Sequence, residues 1–191
     1  GVDAAGDNKV ATAISALTDG AGRVAMDGLI AHSLLENPVE LQMAYAGIGH
    51  GTGKYLMERP EQTHELSMIN VIGVSNTVMP IINRMAARGR GQIALMASVA
   101  GFAAVTQSPS YAATKAYVKH WGEALHGRLK PFGVEVTTIC PGYVKSAMTD
   151  ANRFKMPFLM ETDRAVDIMV RGMEAGKARV AFPWQITWPV G

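Results

Sequence analysis

Residues Gln92–Gly142 read QIALMASVAGFAAVTQSPSYAATKAYVKHWGEALHGRLKPFGVEVTTICPG, and this stretch decides the fold. Gln92–Ala97 (QIALMA) is an apolar run too short for a helix. It predicts a strand with both faces buried. Pro109–Lys130 reads as a long helix. Val134–Cys140 (VEVTTIC) is rich in β-branched residues and ends at Pro141-Gly142, a strand stopped by a turn. Strand, helix, strand over this length predicts a parallel crossover and an α/β fold.

The pattern repeats outward. Upstream, Glu61–Arg88 predicts a long helix, with Pro80 expected to kink it through a lost amide donor. Before it come the apolar run Val39–Tyr45 and a loop holding Gly47, Gly49, Gly51 and Gly53. Still earlier, Val10–Leu17 suggests a helix, Arg23–Asp27 a short strand and Leu29–Glu36 a second helix. Downstream, Thr162–Ala175 predicts a helix stopped by Gly176, and Arg179–Phe182 a last strand. In such sheets ligands sit beyond the carboxyl ends of the strands. The loops after Asp27, Tyr45, Ala97 and Cys140 should therefore share one edge.

Composition narrows the function. The 191 residues are 48% hydrophobic and 18% charged, with a net charge of +2, as expected of one ordered domain. The cations are scattered, with Arg88 and Arg90 the one tight pair, so no nucleic-acid surface is expected. Cys140 is the single cysteine, which excludes an intrachain disulfide and suits a reducing compartment; a cytoplasmic location is expected. The five histidines show no metal-ligand spacing, so no metal site is expected. No apolar run approaches the roughly 18 residues of a membrane span, so none is expected.

Three residues in the quoted stretch stand out. Ser98 follows the first strand, Tyr111 lies thirteen residues later, and Lys115 is one helical turn beyond it on the same face. A lone YxxxK is weak, since five tyrosines among 191 positions would yield about 0.2 such pairs by chance. Serine, thirteen residues, YxxxK and then a strand ending in Pro-Gly is far more specific.

This pattern resembles the short-chain dehydrogenase/reductase family. INVIGVSNTVMPIINRM is similar to the family's NVxG-type helix, GQIALMASVAGF to its strand and serine, and SYAATKAYV to its YxxxK helix. VEVTTICPGYVKSAM is similar to its strand followed by PGxVxT, VELQMAYAGIG to the strand ending in NNAG, and RVAMD to the strand ending in Asp. The likeness runs from about Val10 to Phe182. It implies a single Rossmann-like doubly wound parallel sheet over residues 1–191, with a variable substrate lid near residues 146–161. It also implies hydride transfer between NAD or NADP and an alcohol or ketone, and pairing of the long helices in a homodimer or homotetramer.

The residue types suit that chemistry. Ketone reduction delivers hydride to carbon and a proton to oxygen, and Tyr111 can supply the proton. Free tyrosine titrates near ~10, and a lysine cation one turn away favours its anion. Ser98 can donate to the developing oxyanion. The resemblance implies that Lys115 also binds the nicotinamide ribose and that Asn70 orders a water linking Lys115 to solvent. It places Asp27 on the adenine, and Tyr45, Ala46 and Gly47 where the backbone approaches the cofactor. Pro141, Gly142, Val144 and Ser146 would meet the nicotinamide. Met148, Phe154, Met156, Phe158 and Met160 are candidates either for lining a substrate pocket or for filling the core. Cys140 is expected to be a buried strand residue.

Two departures stand against the likeness. The TGxxxGxG loop that opens the family's domain has no counterpart, which implies that the native protein is longer and that this chain is N-terminally incomplete. Ala44 and Tyr45 stand where the family carries the two Asn of NNAG. A non-catalytic binding relative, an inactive truncated fragment, and an interface role for the tryptophan-bearing end AFPWQITWPVG are the rival readings.

Overall fold

The computed structural model describes residues 41–44, 47–49, 51–53, 55–145, 149 and 155–187. The elements expected over residues 10–36 lie outside them, as do Asp27, Tyr45, Ala46, Ser146, Met148 and Phe154.

Four strands form one sheet in the order β1-β2-β3-β4: β1 Leu41–Ala44, β2 Gly91–Met96, β3 Val134–Pro141 and β4 Arg179–Phe182. Every pairing is parallel, with Leu41 opposite Gln92, Gly91 opposite Val134 and Thr138 opposite Arg179. The connections are helical: α1 Pro60–Ser67, running through a π-helical turn Met68–Gly73 into α2 Val74–Arg88; α3 Pro109–Leu129; α4 Thr162–Glu174; and the short α5 Trp184–Thr187. The parallel α/β fold predicted from the sequence is therefore present.

Strand periodicity divides the core into two layers. Ile93 and Leu95 of β2, with Ala97 just past its end, pack with Val74, Val78, Ile81 and Met85 of α2 and Val118 and Leu129 of α3. Ala94 and Met96 face the opposite way, with Ile139 of β3, Ala165 and Met173 of α4, and Val180 and Phe182 of β4. Successive strand side chains point to opposite faces, so a continuous apolar run is what a sheet covered on both sides requires. Helix α3 approaches closely because Gly122 has no side chain: a Cβ there would stand 2.2 Å from Thr138 Oγ1 and 2.9 Å from Leu95 Cδ1.

The boundaries moved little, and the reasons are local. Helix α3 ends at Leu129 and tightens into a 3-10 turn Lys130–Phe132, because Pro131 supplies no amide for a further α turn. Gly176 adopts φ +59° after α4, as its expected role as a helix stop requires. Helix α2 continues through Pro80 to Arg88. The regular ladder changes at Met68–Gly73, six residues in π-helical geometry, which no sequence pattern had indicated. Taken as one helix, Pro60–Arg88 is long and apolar enough by length and composition to cross a membrane, although no simple apolar run showed it. Its apolar side chains Leu66, Val74, Val78, Ile81 and Met85 are buried in this fold.

Candidate functional site

Ser98, Tyr111 and Lys115 come from two elements beyond the carboxyl end of β2. Ser98 follows the strand in extended conformation and caps a 3-10 turn Val99–Gly101: its Oγ accepts the Ala100 amide at 3.1 Å and donates to Pro141 O at 3.4 Å. These bonds tie the serine to the end of β3. Tyr111 is the third residue of α3 and is half-buried. Lys115, one turn on, is 3% exposed, and its Nζ lies 5.8 Å from the centre of the Tyr111 ring.

Among the described residues the buried ammonium has one hydrogen bond, Nζ donating to Met96 O at 3.0 Å. Burial pushes its pKa from 10.5 down to about 8, and the nearby Cys140 offsets this only partly. Gly47 lies against it, since a Cβ on Gly47 would stand 3.1 Å from Lys115 Nζ. The Gly47 loop thus meets the lysine, and the condition of that approach is a bare backbone.

Asn70 is fully buried inside the π-helical turn. Its Oδ1 accepts the Ile48 amide at 3.0 Å, and its Nδ2 donates to Ile48 O at 3.1 Å and to Thr114 Oγ1 at 3.1 Å. Thr114 Oγ1 in turn donates to Tyr111 O at 2.8 Å. One amide side chain therefore fastens the Gly47 loop to the first turns of α3. Both Nδ2 protons are spent on protein, while Oδ1 has taken one of the two hydrogen bonds it can accept. Thr114, which makes this link, was not among the sequence candidates. Its position between Tyr111 and Lys115 was the available signal.

The strand ends converge as expected. Gly142 N donates to Phe182 O at 2.7 Å, and a Cβ on Gly142 would stand 2.8 Å from Pro183 Cδ. Val144 bridges Met160 in parallel, with Lys145 N donating to Met160 O and Met160 N to Tyr143 O. This bridge carries Met160 into the core cluster under α4. Phe158 is exposed instead. Cys140 is buried on β3, and its thiol is pushed up to about 12 by burial and then by Glu123, against the pull of Lys119, Arg179 and Lys115. It stays a neutral core thiol. Among the described residues no cluster of metal-ligating side chains occurs.

A charged layer, also unread in the sequence, secures the serine turn. The Phe102 ring, just past that turn, lies 4.9 Å from Lys119 Nζ and 5.3 Å from the Arg179 guanidinium. Glu123 pairs with both cations, at 3.6 Å and 3.3 Å. The turn meets α3 most tightly at Gly101, where a Cβ would stand 2.7 Å from both the carbonyl carbon and oxygen of Lys115. Backbone atoms cannot swing aside, so Gly101→Ala should cost about 1–3 kcal/mol. A thermal melt should fall by several degrees; an unchanged melting temperature would mean that the turn and helix are not in this contact.

The short chain dehydrogenase family profile matches residues 10–156. An uncharacterized oxidoreductase from Myxococcus xanthus (strain DK1622) is 39% identical over 151 residues, covering 79% of this chain and 59% of the relative. A very-long-chain 3-oxoacyl-CoA reductase from Ajellomyces capsulatus (strain NAm1 / WU24) is 33% identical over 133 residues, covering 69% of this chain and 39% of that protein. The chain thus spans little more than half the length of the first of these curated relatives, and less of the other. A short-chain dehydrogenase from Sphingobium yanoikuyae in complex with NADPH superposes with a TM-score of 0.78 at 23% identity, covering 88% of this chain and 68% of that one. A gluconate 5-dehydrogenase from Burkholderia cenocepacia J2315, in complex with NADP and tartrate, gives 0.74 at 18% identity, covering 87% and 72%. At those identities the solved structures show the fold, which is Rossmann-like.

Proposed function

The chain belongs to the short-chain dehydrogenase family, and from that membership we propose that the protein carrying it is an NAD(P)-dependent oxidoreductase acting on an alcohol/carbonyl pair. The observation that supports this best is the buried Lys115 beside Tyr111, with Ser98 on the neighbouring turn. A buried lysine with a single carbonyl partner among the described residues is costly as structure alone. It is useful where a nearby phenol must exchange its proton.

The residues suit a nicotinamide cofactor. An ammonium has three N–H donors, and Met96 O takes one, leaving donors for the hydroxyls of a ribose. The bare backbone of Gly47 leaves room beside that ammonium on the loop side. Lys115 and Gly47 would hold the ribose, and Pro141, Gly142 and Val144 the nicotinamide, with Asp27, Tyr45, Ala46 and Ser146 as further proposed contacts. The cofactor, when bound, supplies or accepts the hydride at the carbonyl carbon. Tyr111 gives its hydroxyl proton to the carbonyl oxygen in reduction and takes it back in oxidation. Lys115 favours the phenolate left behind. Ser98 turns its hydroxyl from Pro141 O toward the substrate oxygen and stabilises its charge. Asn70 holds the Gly47 loop and α3 together while this happens.

The outer residues Ile72 and Met79 of the long helix, with Tyr117 of α3, are exposed apolar side chains on neighbouring elements. They support the expected homodimer or homotetramer paired through these helices.

The test is titration of the full-length protein with NADH and NADPH, followed by nicotinamide fluorescence. Saturable binding of one or both is expected. Absence of binding by either would overturn the oxidoreductase reading in favour of a non-catalytic relative.

A further inference from the structure

Helix α3, which carries Tyr111, begins without a cap of its own. Ser108 occupies the N-cap position, where a serine hydroxyl ordinarily accepts an amide of the first turn, yet it makes no such bond. Pro109 has no amide to offer. The next amide, Ser110 N, donates at 3.0 Å to Glu58 Oε2, from a residue 52 positions upstream in the segment between β1 and α1. Glu58 is 9% exposed, and its other oxygen, Oε1, is buried with no hydrogen-bond partner among the described residues. A second tie joins the same residues' neighbourhoods, Thr63 Oγ1 with Ser110 Oγ at 3.0 Å.

We propose that Glu58 is a positioning residue for the reaction: a cap supplied from outside the helix, which fixes where α3 starts and so where Tyr111 presents its hydroxyl. The proposal rests on the role assigned to Tyr111. Stability alone does not account for the arrangement. The Ser108 hydroxyl could satisfy the same amide without taking a carboxylate out of water, and a half-satisfied buried carboxylate is destabilising. The bond does link the end of the Gly47 loop to the residue preceding Tyr111. Together with the Asn70–Thr114 link one turn further on, it holds the first turn of α3 from two sides. Reacting groups misplaced by about 1 Å can lose roughly 100-fold in rate, so this turn must be held rigidly.

The experiment compares Glu58→Ala, Glu58→Asp and Glu58→Gln in the full-length protein. It measures kcat, cofactor Kd and melting temperature, with Tyr111→Phe alongside. Glutamine keeps an acceptor at the right reach, aspartate withdraws it by one methylene, and alanine removes it. The expected kcat order is parent, then Gln, then Asp, then Ala. Alanine should lie about 10- to 100-fold down and glutamine within about three-fold of the parent, while cofactor Kd changes by less than about three-fold throughout. If alanine fails to fold, the aspartate variant carries the test. Parental kcat in the alanine or aspartate variant would overturn the proposal, as would equal losses in glutamine and alanine. A loss of kcat matched by weaker cofactor binding and a lower melting temperature would leave a purely structural cap and also overturn it. Retained turnover in Tyr111→Phe would instead sink the reading of Tyr111 itself.

Discussion

Tyr111→Phe should reduce turnover of the full-length protein by at least about 1000-fold while leaving cofactor affinity within about three-fold. The substitution removes one oxygen and keeps the ring, which is half-buried in the first turn of α3. The neighbouring Lys115 should hold its place, because its bond is to Met96 O and not to the tyrosine. The loss is expected in proton transfer, to which a positioned acid or base contributes about 100- to 10,000-fold. Steady-state kinetics with an activated ketone and a parallel fluorescence titration with NADPH or NADH would measure both quantities. Turnover within ten-fold of the parent would assign the proton to another group. Ser98→Ala is a less clean comparison, because its hydroxyl also holds Ala100 N and Pro141 O.

That experiment was conceivable from the sequence, and the reason is physical. Ser98, Tyr111 and Lys115 belong to one strand–turn–helix unit, so their spacing in the chain fixes their spacing in space. The same holds for β3 and β4, whose β-branched or apolar runs end at turn residues, and for the helix stop at Gly176. What escaped was long-range. Glu58 caps a helix that begins 51 residues later, and nothing in the local sequence around Pro109 signals it. The π-helical turn that points Asn70 inward has no composition of its own, because MINVIG would serve equally in a regular α-helix. Met160 was readable as either pocket lining or core. Its bridge to Val144, which seats it in the core, depends on how the chain returns after Gly142.

Lys115→Met should give the opposite signs in activity and stability. Turnover should fall by about 100-fold or more, since the phenolate loses its nearest cation. The cofactor-free protein should become more stable near neutral pH. In the parent, the Lys115 pKa is about 8 when folded against 10.5 ordinarily, with burial as the main cause. Below pH 8 both states hold the proton, and the folded state bears the whole cost, roughly 3 kcal/mol. Between pH 8 and 10.5 the unfolded chain binds the extra proton, so parental stability rises with pH through that window as the cost disappears. Methionine fills similar volume without charge, but it leaves Met96 O without its 3.0 Å bond, worth about 1 kcal/mol. The net expectation is a variant more stable by about 1–2 kcal/mol at pH 7, with the difference closing or reversing by pH 10.5. Urea denaturation at pH 7, 8.5 and 10 would trace this. A difference that stays constant across these pH values would mean that Lys115 is not held against its charge. The lysine would then sit in the fold at little cost, and the stability argument for its catalytic role would fail even if the variant were inactive.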